Sequence, residues 1–283
     1  MTGQIDSILY IYVALFIIAG IITIIIGAKG KIIPFMGLRI GYAYVSKRLW
    51  RKYNVLTGIL SIIYALILLV IGHWVNNILL IIASPLPYLA VLIAIIFMAE
   101  REAEKESMKT PSRGEEIEFR KGFRTAIPCL IVSIISYISA ISYAVMMYPE
   151  LPARVASHFG PGGQPNGYMT KGSLITVTII AILLIAGVTF FLVYLGLKKP
   201  EAFYKPYMKW DAIMKSVDIM YVLLAYVNII VSLSLVDTVY YNLEGTHILP
   251  AGAYLYVFLI PMIIFLAAIT YYVVKGYQKP RIY

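Results

Sequence analysis

Seven apolar runs, at residues 7–27, 55–72, 78–99, 126–147, 174–197, 213–236 and 252–274, constrain this chain more than any other feature. Each is about 20 residues long, and as a helix each covers a hydrocarbon layer of about 30 Å. A helix satisfies its own backbone there. The expected fold is therefore all-α, a polytopic bundle of seven transmembrane helices in a cell membrane. Of the 283 residues 61% are hydrophobic and 13% charged, about half the charged fraction of a soluble domain. The first run has no basic segment before it and exceeds a cleaved signal's apolar stretch, so it is expected to be retained as a span.

Orientation follows from the 24 basic residues. Residues 28–54 hold Lys29, Lys31, Arg39, Lys47, Arg48, Arg51 and Lys52 without an acid, which assigns them to the cytoplasmic side. The N-terminus is then outside and the C-terminus cytoplasmic, and only Arg154 and Lys171 fall in outer segments. The net charge of +10 is thus an orientation signal, and no direct nucleic-acid partner is expected. The third run is interrupted by Ser84-Pro85-Leu86-Pro87, which predicts a kinked span, with a short re-entrant segment as the rival.

Residues 100–123 divide the chain into a three-span half (1–99) and a four-span half (124–283). This stretch holds seven acids against six bases and reads as a solvated cytoplasmic linker. Its like-charge i,i+4 pairs, Glu100 with Glu104 and Arg101 with Lys105, argue against a strong isolated helix. The halves share no internal repeat, so an inverted-repeat transporter is not expected.

Pro, Gly and polar side chains concentrate in one place, residues 148–172, where Pro149, Pro152, Pro161 and Pro165 alternate with glycines. The expectation is an ordered series of turns rather than a helix or strand, facing outward as a cap. The basic loop has a second pattern: Tyr42, Tyr44, Val45, Leu49, Trp50 and Tyr53 interleave with Lys47, Arg48, Arg51 and Lys52. That suits a segment in the membrane interface, rings at headgroup depth and cations on lipid phosphates.

Inside the membrane, Asp218, Tyr221, Ala225, Asn228 and Ser232 step by three and four and share one face of the sixth run. Such a face must turn into the bundle or a wet cavity, and it is the basis for reading the protein as a transporter or channel. Asp218 is expected to pair with Lys215 or Lys209. Ser133, Ser136, Ser139 and Ser142 form a small-residue strip that predicts close helix packing.

Chemistry is thinly represented. Cys129 is the single cysteine, which excludes an intramolecular disulfide and a cysteine metal cluster. His158 is a candidate proton sensor beside Glu150, but His73 and His247 fall in other loops, and neither a metal nor another cofactor is expected. No H-E-x-x-H, G-x-S-x-G, P-loop or paired intramembrane aspartate occurs, so the chain is not expected to be an enzyme.

Two segments resemble a known family. Gly37-Leu38-Arg39, then Trp50 and Asn54, resembles the signature of the bacterial Sdp immunity proteins, integral membrane proteins that protect against a sporulation-delaying peptide toxin. Ile40-Gly41 replaces the Thr-Pro that usually follows the arginine. Leu151, Pro152, Val155, His158, Phe159, Gly163, Pro165, Gly167, Tyr168 and Lys171 are similar to the small membrane domain of unknown function that accompanies that signature. Gly160 stands where the family often has Asn, and Asn166 where it often has Asp. The two modules occur in reversed order. The resemblance implies an outer loop that recognises or occludes an extracellular peptide or small ligand through Pro152, His158, Phe159, Gly163, Asn166 and Lys171. It also implies a cytoplasmic loop, marked by Gly37, Arg39, Trp50 and Asn54, that contacts lipid headgroups or reports to an intracellular regulator. A structural subunit of a larger membrane complex is the third class.

Overall fold

The computed structural model describes residues 2–30, 37–38, 40–75, 85–106, 123, 125–160, 162–205 and 207–277. Among them are seven α-helices: α1 (Thr2–Ala28), α2 (Lys47–Val75), α3 (Pro85–Lys105), α4 (Ala126–Met147), α5 (Lys171–Lys198), α6 (Trp210–Glu244) and α7 (Ala251–Lys275). Short 3-10 turns lie at Gly41–Tyr44 and Pro200–Phe203, and two strands, β1 (Arg154–Phe159) and β2 (Pro165–Thr170), separate α4 from α5. Every helix in this list except α3 is long and apolar enough to cross a membrane. Their outward residues are large hydrophobes such as Ile11, Leu15, Ile138 and Ile263, each more than half exposed, which only a lipid environment accommodates. The chain is a multi-pass membrane protein.

The expected third span, 78–99, is described only from Pro85. There Pro85 and Pro87 stand in the first turn of α3, where a helix has no amide bonds to lose, so they start the helix rather than kink it. The apolar part that follows is short and gives way to Glu100-Arg101-Glu102. Residues 78–84, which distinguish a full crossing from a re-entrant one, lie outside the described residues.

The chain forms two compact units. One takes its described residues from Met1–Ile117, Lys199–Trp210 and Tyr277–Tyr283, the other from Glu118–Lys198 and Asp211–Gly276. In the first, α1 and α2 meet backbone to backbone: a Cβ on Gly20 would lie 2.7 Å from the Gly58 carbonyl oxygen, and one on Gly58 2.5 Å from that of Gly20. Helix α3 joins α2 through Glu102 on Lys52, with Glu106, just past its end, on Arg48, while Glu100 pairs with Lys199. These ion pairs explain why the acidic stretch is helical through Lys105 despite its like-charge spacing, since tertiary partners outweigh weak i,i+4 repulsion. The hydrogen bond from Lys52 is the largest effect holding the Glu102 carboxyl below its usual range, and that from Ser46 does the same for Glu106.

The rings of the basic segment pack inside the protein rather than against lipid headgroups. Tyr42, Tyr44, Trp50 and Tyr53 are all buried, Tyr44 stacking on Trp50 at 5.0 Å and edge-on to Tyr207 at 5.8 Å. Burying an aromatic body inside protein gains more apolar contact than an interface offers, and the cations Lys47, Arg48, Arg51 and Lys52 alone stay exposed.

The second unit packs α4, α5 and α6 together. The serine strip is only half inside: Ser133 and Ser136 face α6, whereas Ser139 and Ser142 are exposed. A three-residue repeat falls about 60° short of a full turn at each step, so the buried face follows Ser133, Tyr137, Ala140 and Ala144 instead. The strands correct the all-α expectation. Pro149 and Pro152 precede β1 and Pro165 opens β2, so they flank the ladder without removing its donors.

Candidate functional site

Residues 148–172 fold as an antiparallel hairpin. Arg154 pairs with Thr170, Val155 with Met169, Ala156 with Tyr168, His158 with Gly167 and Phe159 with Pro165, with irregularities on either side of His158. The turn closes with the Gly160 N–H on the Gln164 carbonyl (2.9 Å) and the Gly163 N–H on that of Gly160 (2.9 Å). Gly163 has φ +77°, a left-handed conformation that a side chain resists.

The hairpin's inner face is apolar. Leu151 and Val155 enter a core with Tyr137, Ala140 and Ala144 of α4, Leu174 of α5, and Leu235 and Val239 of α6. Helix α6 has 35 residues, about 52 Å, so its last turns extend beyond a hydrocarbon layer and stand where the hairpin docks.

Polar contacts at three places fasten the hairpin. Asn242 near the end of α6 accepts the Ala156 N–H (2.7 Å) and donates to the Ala156 carbonyl (2.9 Å), so its amide acts as a one-residue neighbouring strand for β1. His247, just past α6, pairs Nδ1 with Asp237 Oδ2 (2.7 Å) and Nε2 with the Gly163 carbonyl (2.9 Å), while Asp237 Oδ1 accepts the Ile248 N–H (2.8 Å). Both partners of the imidazole are acceptors, an arrangement that favours the ring carrying a proton on each nitrogen. Burial works to lower the His247 pKa, but the bonds to Asp237 and Gly163 and the carboxylate charge outweigh it, leaving it above the ordinary imidazole value. Phe159 and Tyr241 pack against this ring at 4.7 and 4.6 Å. Third, Lys171 donates to the carbonyls of Tyr148 (3.2 Å) and Leu151 (3.1 Å) with its ammonium 4.7 Å from the Tyr148 ring centre.

Residues 134–185 match the model of a domain of unknown function (DUF1648). No curated protein and no solved structure matches the chain. The DUF1648 segment spans the second half of α4, the whole hairpin and the first half of α5, yet Asn242, Asp237 and His247, which fasten its hairpin, lie outside it.

Of the loop residues read from sequence, Pro152, His158 and Asn166 are exposed, with His158 Nδ1 bonded to Asn166 Oδ1 across the hairpin. Phe159, Gly163 and Lys171 instead belong to the fastenings. Exposed Tyr168 completes the outer face, opposite the small Gly167 side of the ladder.

The signature loop is a second fastening. Asn54 is fully buried; its Oδ1 accepts the Leu38 N–H (2.6 Å) and its Nδ2 donates to the Trp50 carbonyl (2.8 Å). Gly37 has φ +81°, and a Cβ there would sit 2.2 Å from Asn54 Oδ1, so Gly37, Trp50 and Asn54 form one structural unit. Arg39 lies outside the described residues.

The polar face of α6 is turned into the helices. Asn228 Oδ1 accepts from Tyr137 (2.6 Å), and its Nδ2 donates to Ser133 (2.7 Å) and Thr189 (3.1 Å); Ser232 reaches Ser136 (3.2 Å). Tyr221 donates to the Leu192 carbonyl (2.9 Å) above Gly196. Asp218 accepts from Thr125 (2.6 Å), while Lys215 pairs with Asp211 rather than with Asp218.

Sequence reasoning missed Asn242, Asp237 and His247. The available signal was an aspartate at the very end of an apolar run with a histidine ten residues later, on the side where the hairpin returns.

Proposed function

We propose that this is a membrane protein of the Sdp immunity kind, N-terminus outside and C-terminus cytoplasmic, whose hairpin recognises or occludes an extracellular peptide or small ligand. One observation carries the reading: the hairpin is held by α6 from behind while Pro152, His158, Asn166 and Tyr168 face outward. Such pre-organisation is what a recognition surface requires, because a loop already ordered loses little entropy on binding. The DUF1648 match falls on the segment that resembles the family's accompanying domain, which supports the same reading. Binding is assigned to the outward four, and Phe159, Gly163 and Lys171 position them. On this view the loop carrying Gly37, Arg39, Trp50 and Asn54 reports to a cytoplasmic regulator, and no reaction is catalysed. The transporter reading gains nothing from α6, since the hydrogen-bonding groups of Asn228 are taken up by Tyr137, Ser133 and Thr189.

The test is protection of cells exposed to the sporulation-delaying peptide toxin. Wild type is expected to protect, and His158→Ala with Tyr168→Ala to lose protection at unchanged membrane level. Unchanged protection by that variant, or none by wild type, overturns the proposal.

A further inference from the structure

At the Lys47 end of α2 a groove of about 950 Å³ opens between α1 and α2. Its apolar side is formed by Ile24, Val55, Leu56 and Ile59, and its rim by Lys47, Arg48, Arg51 and Lys52. Arg48 and Lys52 form one i,i+4 pair and are neutralised by Glu106, just past α3, and Glu102 of α3. Lys47 and Arg51 form the other i,i+4 pair, both exposed, and among the described residues no carboxylate pairs with either. Among the described residues the groove thus carries, at one end, two cations with no paired carboxylate. At the other it runs onto a stripe of exposed apolar residues, Ile59, Ile63 and Leu66, each more than 40% exposed. Both helices are candidate membrane spans, so this end lies against hydrocarbon.

These features select the ligand. The volume is that of a small-molecule site and far exceeds a bare phosphate. An acidic peptide would satisfy the cations but not an apolar wall facing lipid. Only an amphiphile offers a negative headgroup and a hydrocarbon tail in the right order, and Arg51 supplies the planar donor fork that phosphate oxygens accept while Lys47 adds a point charge. We infer that the α1/α2 groove binds one anionic phospholipid, its phosphate between Lys47 and Arg51 and an acyl chain along Leu56 and Ile59. The site is independent of whatever the hairpin recognises.

The experiment is native mass spectrometry of the full chain in non-ionic detergent, with phosphatidylglycerol and phosphatidylcholine added at equal concentration. Two cations favour the anionic lipid by roughly tenfold or more. Lys47→Gln with Arg51→Gln brings the preference close to unity, whereas Lys198→Gln with Lys209→Gln, which removes the same charge from exposed positions elsewhere, leaves it intact. Ile59→Trp, which fills the apolar wall without touching charge, lowers retention of the lipid. Inorganic phosphate does not displace the lipid from wild type, an arm that needs no variant to fold. Equal retention of the two lipids, an equal loss in the control pair, no effect of Ile59→Trp, or displacement by phosphate each overturns the inference.

Discussion

Replacing Asn242 with Leu removes one side chain from α6 and leaves two backbone groups of β1 without partners. Wild-type Asn242 holds the Ala156 N–H at 2.7 Å and the Ala156 carbonyl at 2.9 Å, and Ala156 is only 3% exposed, so water does not readily replace either bond. A buried group left unsatisfied costs about 1–3 kcal/mol, so the pair costs about 3 kcal/mol, and opening of the hairpin becomes roughly 100-fold more frequent. The core contacts of Leu151 and Val155 are untouched, so the rest of the second unit keeps its stability. The assay is hydrogen exchange by mass spectrometry on the full chain, comparing peptides from 154–170 with peptides from α4 and α5. Fast exchange in the hairpin peptides alone is the expected result. Exchange there indistinguishable from wild type would show that Asn242 does not act as a surrogate strand.

Deprotonating His247 removes one of its two donors. Because its folded pKa is raised, the stabilisation is complete below the ordinary imidazole value and is lost as pH rises through the raised one. Proteolysis at Arg154, normalised to a reference peptide, is therefore expected to accelerate in wild type as pH rises above the ordinary imidazole value and through the raised one, and to stay flat in His247→Gln. Asp237, Tyr241, Phe159 and the Gly163 carbonyl are among the groups facing the ring, and Asp237 is the carboxylate bonded to it, so Asp237→Asn removes the pH response as well. In Gly196→Ala the new methyl group would lie 2.0 Å from the Tyr221 hydroxyl, which lowers stability by about 1–3 kcal/mol, and adding Tyr221→Phe recovers part of the loss in thermal unfolding. Asn228→Leu leaves the Tyr137 hydroxyl without its acceptor and costs about 1–2 kcal/mol in the same assay, with ion flux into proteoliposomes unchanged.

How much of this was legible in the sequence depends on the range of the interaction. Spans follow from local composition, so six apolar runs correspond to membrane-length helices, and the buried side of α6 follows from the three-four spacing of Tyr221, Ala225, Asn228 and Ser232. The hairpin was legible as a place but not as a fold. Its prolines masked two six-residue strands, and the side chain that fastens them to α6, Asn242, lies 86 residues away from Ala156. The roles within the loop were likewise unreadable: His158 looked like the chemical residue, yet His247 is the one between a carboxylate and a carbonyl. In the basic loop, Gly37 and Asn54 stood out by spacing, but that they meet is a consequence of the turn geometry that brings Leu38 onto α2.

Recognition by the hairpin requires it to face the outside of the cell, and that is the claim to measure first. With Cys129 replaced by Ser, a single cysteine is introduced as Tyr168→Cys on the hairpin or as Lys198→Cys at the end of α5, and intact cells are treated with a membrane-impermeant maleimide. The account predicts labelling of the Tyr168→Cys chain in intact cells and of the Lys198→Cys chain only after permeabilisation; the reverse pattern would contradict it.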